Sequence, residues 1–219
     1  YPATFFQDEY IPMQLEDAKW ASAVDKYGFD IIYWRHQEGT PWGRSFFRQR
    51  VTDNQWKMVQ IDRYNAIFIP ANDRPDLANI DVNNVEKNIA YLLNSHDYED
   101  TMVAGDILEI FGLPDRAVSI YQKLIEKYPR DYRAYLSLGS LYGSTSDPTY
   151  LNKAVTLLNA AAELGYKKSS LYNQLGVVYF NLKLYEKARQ AWYTSLLYSP
   201  TDVGARDYLK QLKDIIPSL

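Results

Sequence analysis

Apolar positions along this chain follow two periods, and the change from one to the other divides it. From about residue 98 onward they recur every three or four residues, the spacing of one face of a helix. Before about residue 70, short β-branched and aromatic runs alternate with amphipathic stretches. Leu15, Ala18, Trp20, Ala21 and Val24 predict a helix over 14–27 that Gly28 ends. Phe29 to Trp34 predicts a buried strand. Thr40, Pro41 and Trp42 predict a cap and first turn, leading to a helix through Phe46, Phe47 and Val51. Residues 56–61 and 66–69 predict two further strands, joined by a hairpin turn at Asp62 to Asn65 in which Asp62 serves the turn. Ala3 to Phe6 predicts one more strand. This alternation predicts a small α/β unit over 1–70. A polar linker follows over 71–80, and Val85, Ile89, Leu92 and Leu93 predict an extra helix over 84–93.

The helical half contains a repeat. Tyr172, Leu175, Gly176 and Tyr179, then Ala188, Trp192 and Pro200, keep the order W-x2-L-G-x2-Y…A-x3-F…P with aromatic exchanges at two places. Tyr135, Leu138, Gly139, Tyr142, Ala154 and Leu158 repeat it upstream. Gly139 and Gly176 are 37 residues apart, and the excess over the usual period of about 34 falls in the turn-rich loop 144–149. A weaker copy runs through Gly105, Ala117, Tyr121 and Pro129, with Thr101, Ala104 and Leu108 at its large positions. This half resembles the tetratricopeptide repeat (TPR) proteins. The resemblance predicts an all-α solenoid over 98–219: three helical hairpins, then a capping helix over 202–216 with Arg206, Lys210 and Lys213 on its polar side. The fold class expected for the whole chain is α+β.

The first half resembles another family. Phe5 to Tyr10, then Trp20…Tyr27-Gly28-Phe29-Asp30-Ile31-Ile32, then Trp56-Lys57-Met58-Val59…Asp62…Ala66-Ile67-Phe68-Ile69 is similar to the soluble tail of polytopic GT-C-type glycosyltransferase-like membrane proteins. Glu9 stands where that pattern often has arginine. The resemblance implies an extracytoplasmic accessory domain whose catalytic carboxylates lie in another part of a longer chain. The alternative is a free-standing, cytoplasmic TPR adaptor with a structural cap. Tyr1 is not methionine, which reads as the start of an excised or processed piece.

Composition narrows the partners. A net charge of −3 with no Lys/Arg cluster argues against nucleic acid and acidic membrane surfaces. The absence of cysteine excludes disulfides and thiolate metal sites, and no apolar run approaches the roughly 20 residues of a membrane span. Membrane attachment is therefore expected only through a region before Tyr1.

Candidate chemistry is sparse. Arg35, His36 and Glu38 leave a strand end, where an enzyme could keep functional groups, but no second histidine or nucleophile accompanies them. His96 precedes Asp97, Glu99 and Asp100, which read as a solvated loop. Asp8 and Glu9 would point to opposite faces of a strand. No catalytic residue, cofactor or metal site is expected. The TPR resemblance implies a partner-binding groove lined by Met102, Asp106 and Glu109, by Arg133, Leu136 and Ser140, and by Asn173, Val177, Phe180 and Asn181. Chaperone-binding TPR domains clamp a carboxylate with lysines and asparagines, and this groove has no lysine. It suits an extended or helical peptide of basic character, unless the protein's own capping helix or α/β half fills it. Trp34 and Trp42 lie outside the repeat and are candidates for a glycan contact.

Overall fold

Glycine at 28 takes φ +63°, a left-handed conformation that ends a helix because its amide turns back onto the Val24 carbonyl. The computed structural model describes residues 3–35 and 40–216. It divides into two compact units, Tyr1–Ala117 and Val118–Leu219.

The first unit opens with a continuous helical run over 3–15 (α1), in which Phe6–Tyr10 is π-helical. The expected strand at Ala3 to Phe6 is therefore helix. Its rings explain this: Phe6 packs edge-on against both Phe5 and Tyr10, a one-sided cluster that alternating strand positions could not form. Extended backbone at Glu16 (φ −124°, ψ 119°) separates α1 from Asp17–Tyr27 (α2), so the single helix expected over 14–27 is interrupted. Next come Ile32–Arg35 (β1), Pro41–Thr52 (α3), Trp56–Ile61 (β2) and Asn65–Pro70 (β3). Thr40 caps α3 by accepting from the Gly43 amide at 3.2 Å. Asp62 Oδ1 accepts from the Tyr64 and Asn65 amides at 2.8 and 2.9 Å, making the hairpin turn.

The sheet order is β1-β3-β2, antiparallel throughout, with a bulge between Met58 and Gln60. β1 was expected to be a buried strand, but it is an edge: Ile32 is buried while Tyr33 is 65% exposed. An aromatic core joins α2 and α3 to the sheet. Trp20 packs on Phe46 and Trp56, and Phe47 on Phe68 and Phe111. Inside it Arg50, 3% exposed, lies over the Trp20 and Phe46 rings and pairs with Asp17 at 2.6 Å.

The extra helix is broken. Val82–Asn84 is a 3-10 turn, followed by Val85–Asn88 (α4) and Ala90–Leu93 (α5), with Ile89 at φ −109° between them. Val85, Ile89 and Leu92 are nevertheless fully buried. Tyr98–Ile110 (α6) is capped by Asp97, which accepts from the Asp100 amide at 3.0 Å. The boundary expected at 97/98 follows the helical repeat pattern of the sequence. The division at 117/118 falls inside Pro114–Lys127 (α7), and Phe47–Phe111, Arg63–Asp100 and Glu86–Arg116 contacts join α6, its following turn and the start of α7 to the earlier elements.

In the second unit, Tyr132–Gly143 (α8), Pro148–Glu163 (α9), Ser169–Asn181 (α10), Tyr185–Tyr198 (α11) and Val203–Ile215 (α12) follow α7. Asp131, Asp147 and Asp202 cap α8, α9 and α12 with their side chains. The small residues sit where helices meet: a Cβ at Gly139 would lie 2.9 Å from Leu158 Cγ, and Ala154, Ala161 and Ala188 are fully buried. The whole is a small sheet-containing part followed by a helical repeat array, the α+β arrangement read from the pattern.

Candidate functional site

The first helices of the repeats, α8 and α10, carry seven of the expected groove residues. Asp131 holds Arg133 by a forked pair, Nε to Oδ1 at 3.0 Å and Nη2 to Oδ2 at 2.7 Å, while also capping α8. Leu136 is half-buried one turn on. Ser140 Oγ lies 2.8 Å from the Leu136 carbonyl and 2.6 Å from Gln174 Oε1. One hydroxyl proton serves one acceptor at a time, so this serine can switch between its own helix and α10.

On α10 the expected residues meet the next helix. Asn173 Nδ2 donates to Asp202 Oδ2 at 2.8 Å, and the buried Ser195 Oγ donates to the same oxygen at 3.2 Å or to the Ser169 carbonyl at 3.1 Å. Asp202 Oδ1 meanwhile caps α12 by accepting from the Ala205 amide at 3.1 Å. One carboxylate thus ties α10, α11 and α12. Val177 and Phe180 pack against the buried cluster of Ala188, Trp192, Ala205 and Leu212. Asn181 is exposed. Three of the four expected α10 residues are thus engaged within the protein, Asn173 by the Asp202 cap of α12, and Val177 and Phe180 by the cluster that α11 and α12 build, Phe180 on the Tyr185 and Trp192 rings of α11. Met102, Asp106 and Glu109 lie on α6 in the first unit, Met102 buried and the two acids half-buried.

Gln174 and Asp202 were missed as site residues. For Asp202 the signal existed, since an aspartate two residues after Pro200 precedes a helical pattern. Asp207, Gln211 and Asp214 were also missed: they stand 34 residues after Asn173, Val177 and Phe180 and are exposed on α12. Repeat register alone could have found them. At the start of α10, Tyr172 stacks on Tyr198 with ring centres 5.2 Å apart, and burial, then the Tyr198 hydroxyl, pushes its phenol up from the ordinary value.

The other candidates resolve differently. His36 and Glu38 lie outside the described residues, and Arg35 is exposed at the end of β1. The acids after His96 have structural uses: Asp97 caps α6, and Asp100 accepts from Ser95 Oγ at 2.7 Å and faces Arg63 Nη1 at 2.6 Å. Asp8 and Glu9 are on the π-helical stretch rather than a strand, and Glu9 holds Lys26 at 2.7 Å and the Tyr27 hydroxyl. Among the described residues no cluster of His, Cys, Asp or Glu is placed to hold a metal ion, and no helix is long and apolar enough to cross a membrane. Trp34 is half-buried against Phe46 at 5.0 Å, and Trp42 is half-buried on α3.

Comparison with known proteins places the repeat. Residues 169–202, which are α10, α11 and the turn after them, match the tetratricopeptide repeat family model. None of the curated proteins compared matches the chain. Among solved structures, the crystal structure of MamA is similar at 20% identity with a TM-score of 0.54, over 61% of this chain and 78% of that one. MamA from residue 41 to its end, from Desulfovibrio magneticus RS-1, is similar at 20% identity and TM-score 0.54, over 59% and 75%. The first TPR domain of human RPAP3 gives 20% identity and TM-score 0.49, over 54% and 91%. The helical part of the chain has a TPR-type fold.

Proposed function

We propose that the chain is a non-catalytic protein-interaction module whose TPR part holds a peptide or partner domain of basic character. The observation that carries this reading is the repeat register. By that register Leu136 on α8 and Asp207 on α12 share one position of successive first helices and Ser140 and Gln211 the next, with Asp214 one turn beyond and Arg133 and Asn181 flanking them. Arg133 is paired with Asp131, and the exposed Asp207 and Asp214 offer carboxylates on α12 beside the exposed Lys210, so a basic ligand meets discrete acids there and not a uniformly acidic surface. Met102, Asp106 and Glu109 extend the same sequence positions into the first repeat.

The test avoids Asn173 and Phe180, whose replacement would also loosen the packing of α10 on α11 and α12. An array of lysine- and arginine-rich fifteen-residue peptides is titrated onto the full chain and onto the variant Asn181→Ala, Asp207→Lys, Asp214→Lys. At least tenfold weaker binding by the variant, with unchanged melting temperature, supports the reading. Equal affinity moves the site elsewhere.

The setting proposed for this module is the extracytoplasmic side of a membrane, as the soluble part of a glycosyltransferase-like membrane protein. The support is the motif resemblance of residues 5–69. Several apolar spans encoded upstream of Tyr1 would agree with it, and a start codon immediately upstream would favour the free-standing adaptor.

A further inference from the structure

The two edges of the three-stranded sheet are treated differently. Along β2, the Met58 amide donates to Asn79 Oδ1 at 3.0 Å, the Ile80 amide donates to the Met58 carbonyl at 2.7 Å, and Lys57 Nζ donates to the Arg74 carbonyl at 2.8 Å. The segment after β3 thereby closes that edge. β1 pairs with β3 alone, and among the described residues no hydrogen bond reaches its outer side. Two protections of a sheet edge are absent from this short strand: β1 contains no proline, and its register with β3 runs without a bulge from Ile32 to Arg35. Its outward side chains are large and exposed, Ile31 at 53% and Tyr33 at 65%. Beside it opens a cleft of about 200 Å³, lined mainly by the apolar groups of Tyr10, Met13, Phe29, Ile32 and Trp34.

We propose that β1 accepts an extended segment of a partner protein as a fourth strand, with one large apolar side chain seated in this cleft. Unpaired amides and carbonyls at strand spacing are satisfied by another extended chain, and a helix or a lipid surface offers no matching row. A second copy of this chain is the poorer occupant. Joining two strands of four residues gives a short ladder, well below what holds a stable dimer. Charge sets the sequence of the segment, because exposed Asp30 and Arg35 bracket the edge with opposite signs. Its complement has a basic residue beside Asp30, an acidic one beside Arg35, and an aromatic residue opposite Ile32. The inference does not rest on the groove.

The probe is acetyl-Glu-Thr-Val-Phe-Val-Lys-amide, which satisfies all three requirements in an antiparallel register, together with its two alternately N-methylated isomers. Amide shifts and hydrogen exchange of residues 31–35 are followed in the full chain. The expected result is saturable shifts, at least tenfold slower exchange at alternate amides, and loss of binding by one methylated isomer only. The variant Met13→Trp, which fills the cleft, is expected to weaken the peptide at least tenfold. Absence of shifts at millimolar peptide, or equal binding by both isomers, overturns the proposal. So does slowed exchange without peptide that grows with protein concentration alongside a doubled mass. The groove substitutions on α10 and α12 are remote in sequence from all of these residues, so the two tests fail independently.

Discussion

A Cβ placed on Gly176 would stand 2.3 Å from Trp192 Nε1, closer than any side chain can approach an indole. The contact sits between α10 and α11, where Trp192 is 2% exposed, so neither helix can retreat without opening the core. Gly176→Ala therefore overpacks a rigid ring, at a cost of about 1–3 kcal/mol at such sites, against about 1 kcal/mol recovered by removing glycine from a helix. We expect net destabilisation of the second unit of up to about 2 kcal/mol in chemical denaturation. At Gly139 the nearest atom belongs to Leu158, a flexible side chain, and Gly139→Ala is expected to fall within about 1 kcal/mol of neutral. In a Trp192→Leu background the Gly176→Ala penalty should largely vanish, and a cycle showing additivity would refute the contact as its cause.

Asp202 joins three helices through one carboxylate. Asp202→Ala removes the α12 cap, about 0.5–2 kcal/mol, and leaves half-buried Asn173 short of an acceptor, while Ser195 keeps the Ser169 carbonyl. A total of about 2–3 kcal/mol is expected, with faster hydrogen exchange across 203–215 and little change in the first unit. Uniformly unchanged exchange would show that α12 is held by its apolar face alone.

Arg50 is a buried cation with an incomplete set of partners. Nη2 pairs with Asp17 and Nη1 lies 3.1 Å from Asp53, yet Nε and Nη1 lack aligned hydrogen-bond acceptors, and the guanidinium relies on the Trp20 and Phe46 faces. Arg50→Ala removes both charge and packing and is expected to cost about 3–5 kcal/mol. Arg50→Met keeps the packing, and Asp17 is 73% exposed and rehydrates, so about 1–2 kcal/mol is expected. Equal losses for the two variants would assign the whole effect to charge.

Glu9 and Lys26 shift each other in opposite senses. The Lys26 hydrogen bond, then that from Tyr27, lowers the Glu9 carboxyl below its ordinary 4.5, and the bond to Glu9 pushes Lys26 up to about 12. The Glu9 contribution is present above pH 4.5 and is lost as pH falls through its lowered folded value. The Lys26 contribution is present below 10.5 and is lost as pH rises through about 12. The α1–α2 tether is therefore insensitive to pH across the neutral range. Carboxyl carbon shifts should place the Glu9 midpoint below 4.5, returning toward it in Lys26→Met. A midpoint at or above 4.5 in the unaltered chain would refute the pair.

What the sequence determined by itself is local or periodic. Gly28 ended its helix, Asp62 made its turn and Thr40 capped α3, because each act involves atoms within four residues. The TPR pattern was legible because Gly176 and Trp192 must appear together wherever two helices approach closely. Tertiary structure decided the rest. Phe5 and Phe6 suit a strand or a helix equally, and contact with Tyr10 selected the helix. The β1 run read as buried because it is rich in β-branched and aromatic residues, but its place at the sheet edge was fixed by β3 inserting between it and β2, which leaves only Ile32 buried. Asn173 and Phe180 occupy groove positions by register, yet the Asp202 cap holds the first and the cluster of α11 and α12 covers the second, since a helix ending an array still has an apolar face to bury. Spacing sets which side chains share a face, and only the packed neighbours decide what covers that face.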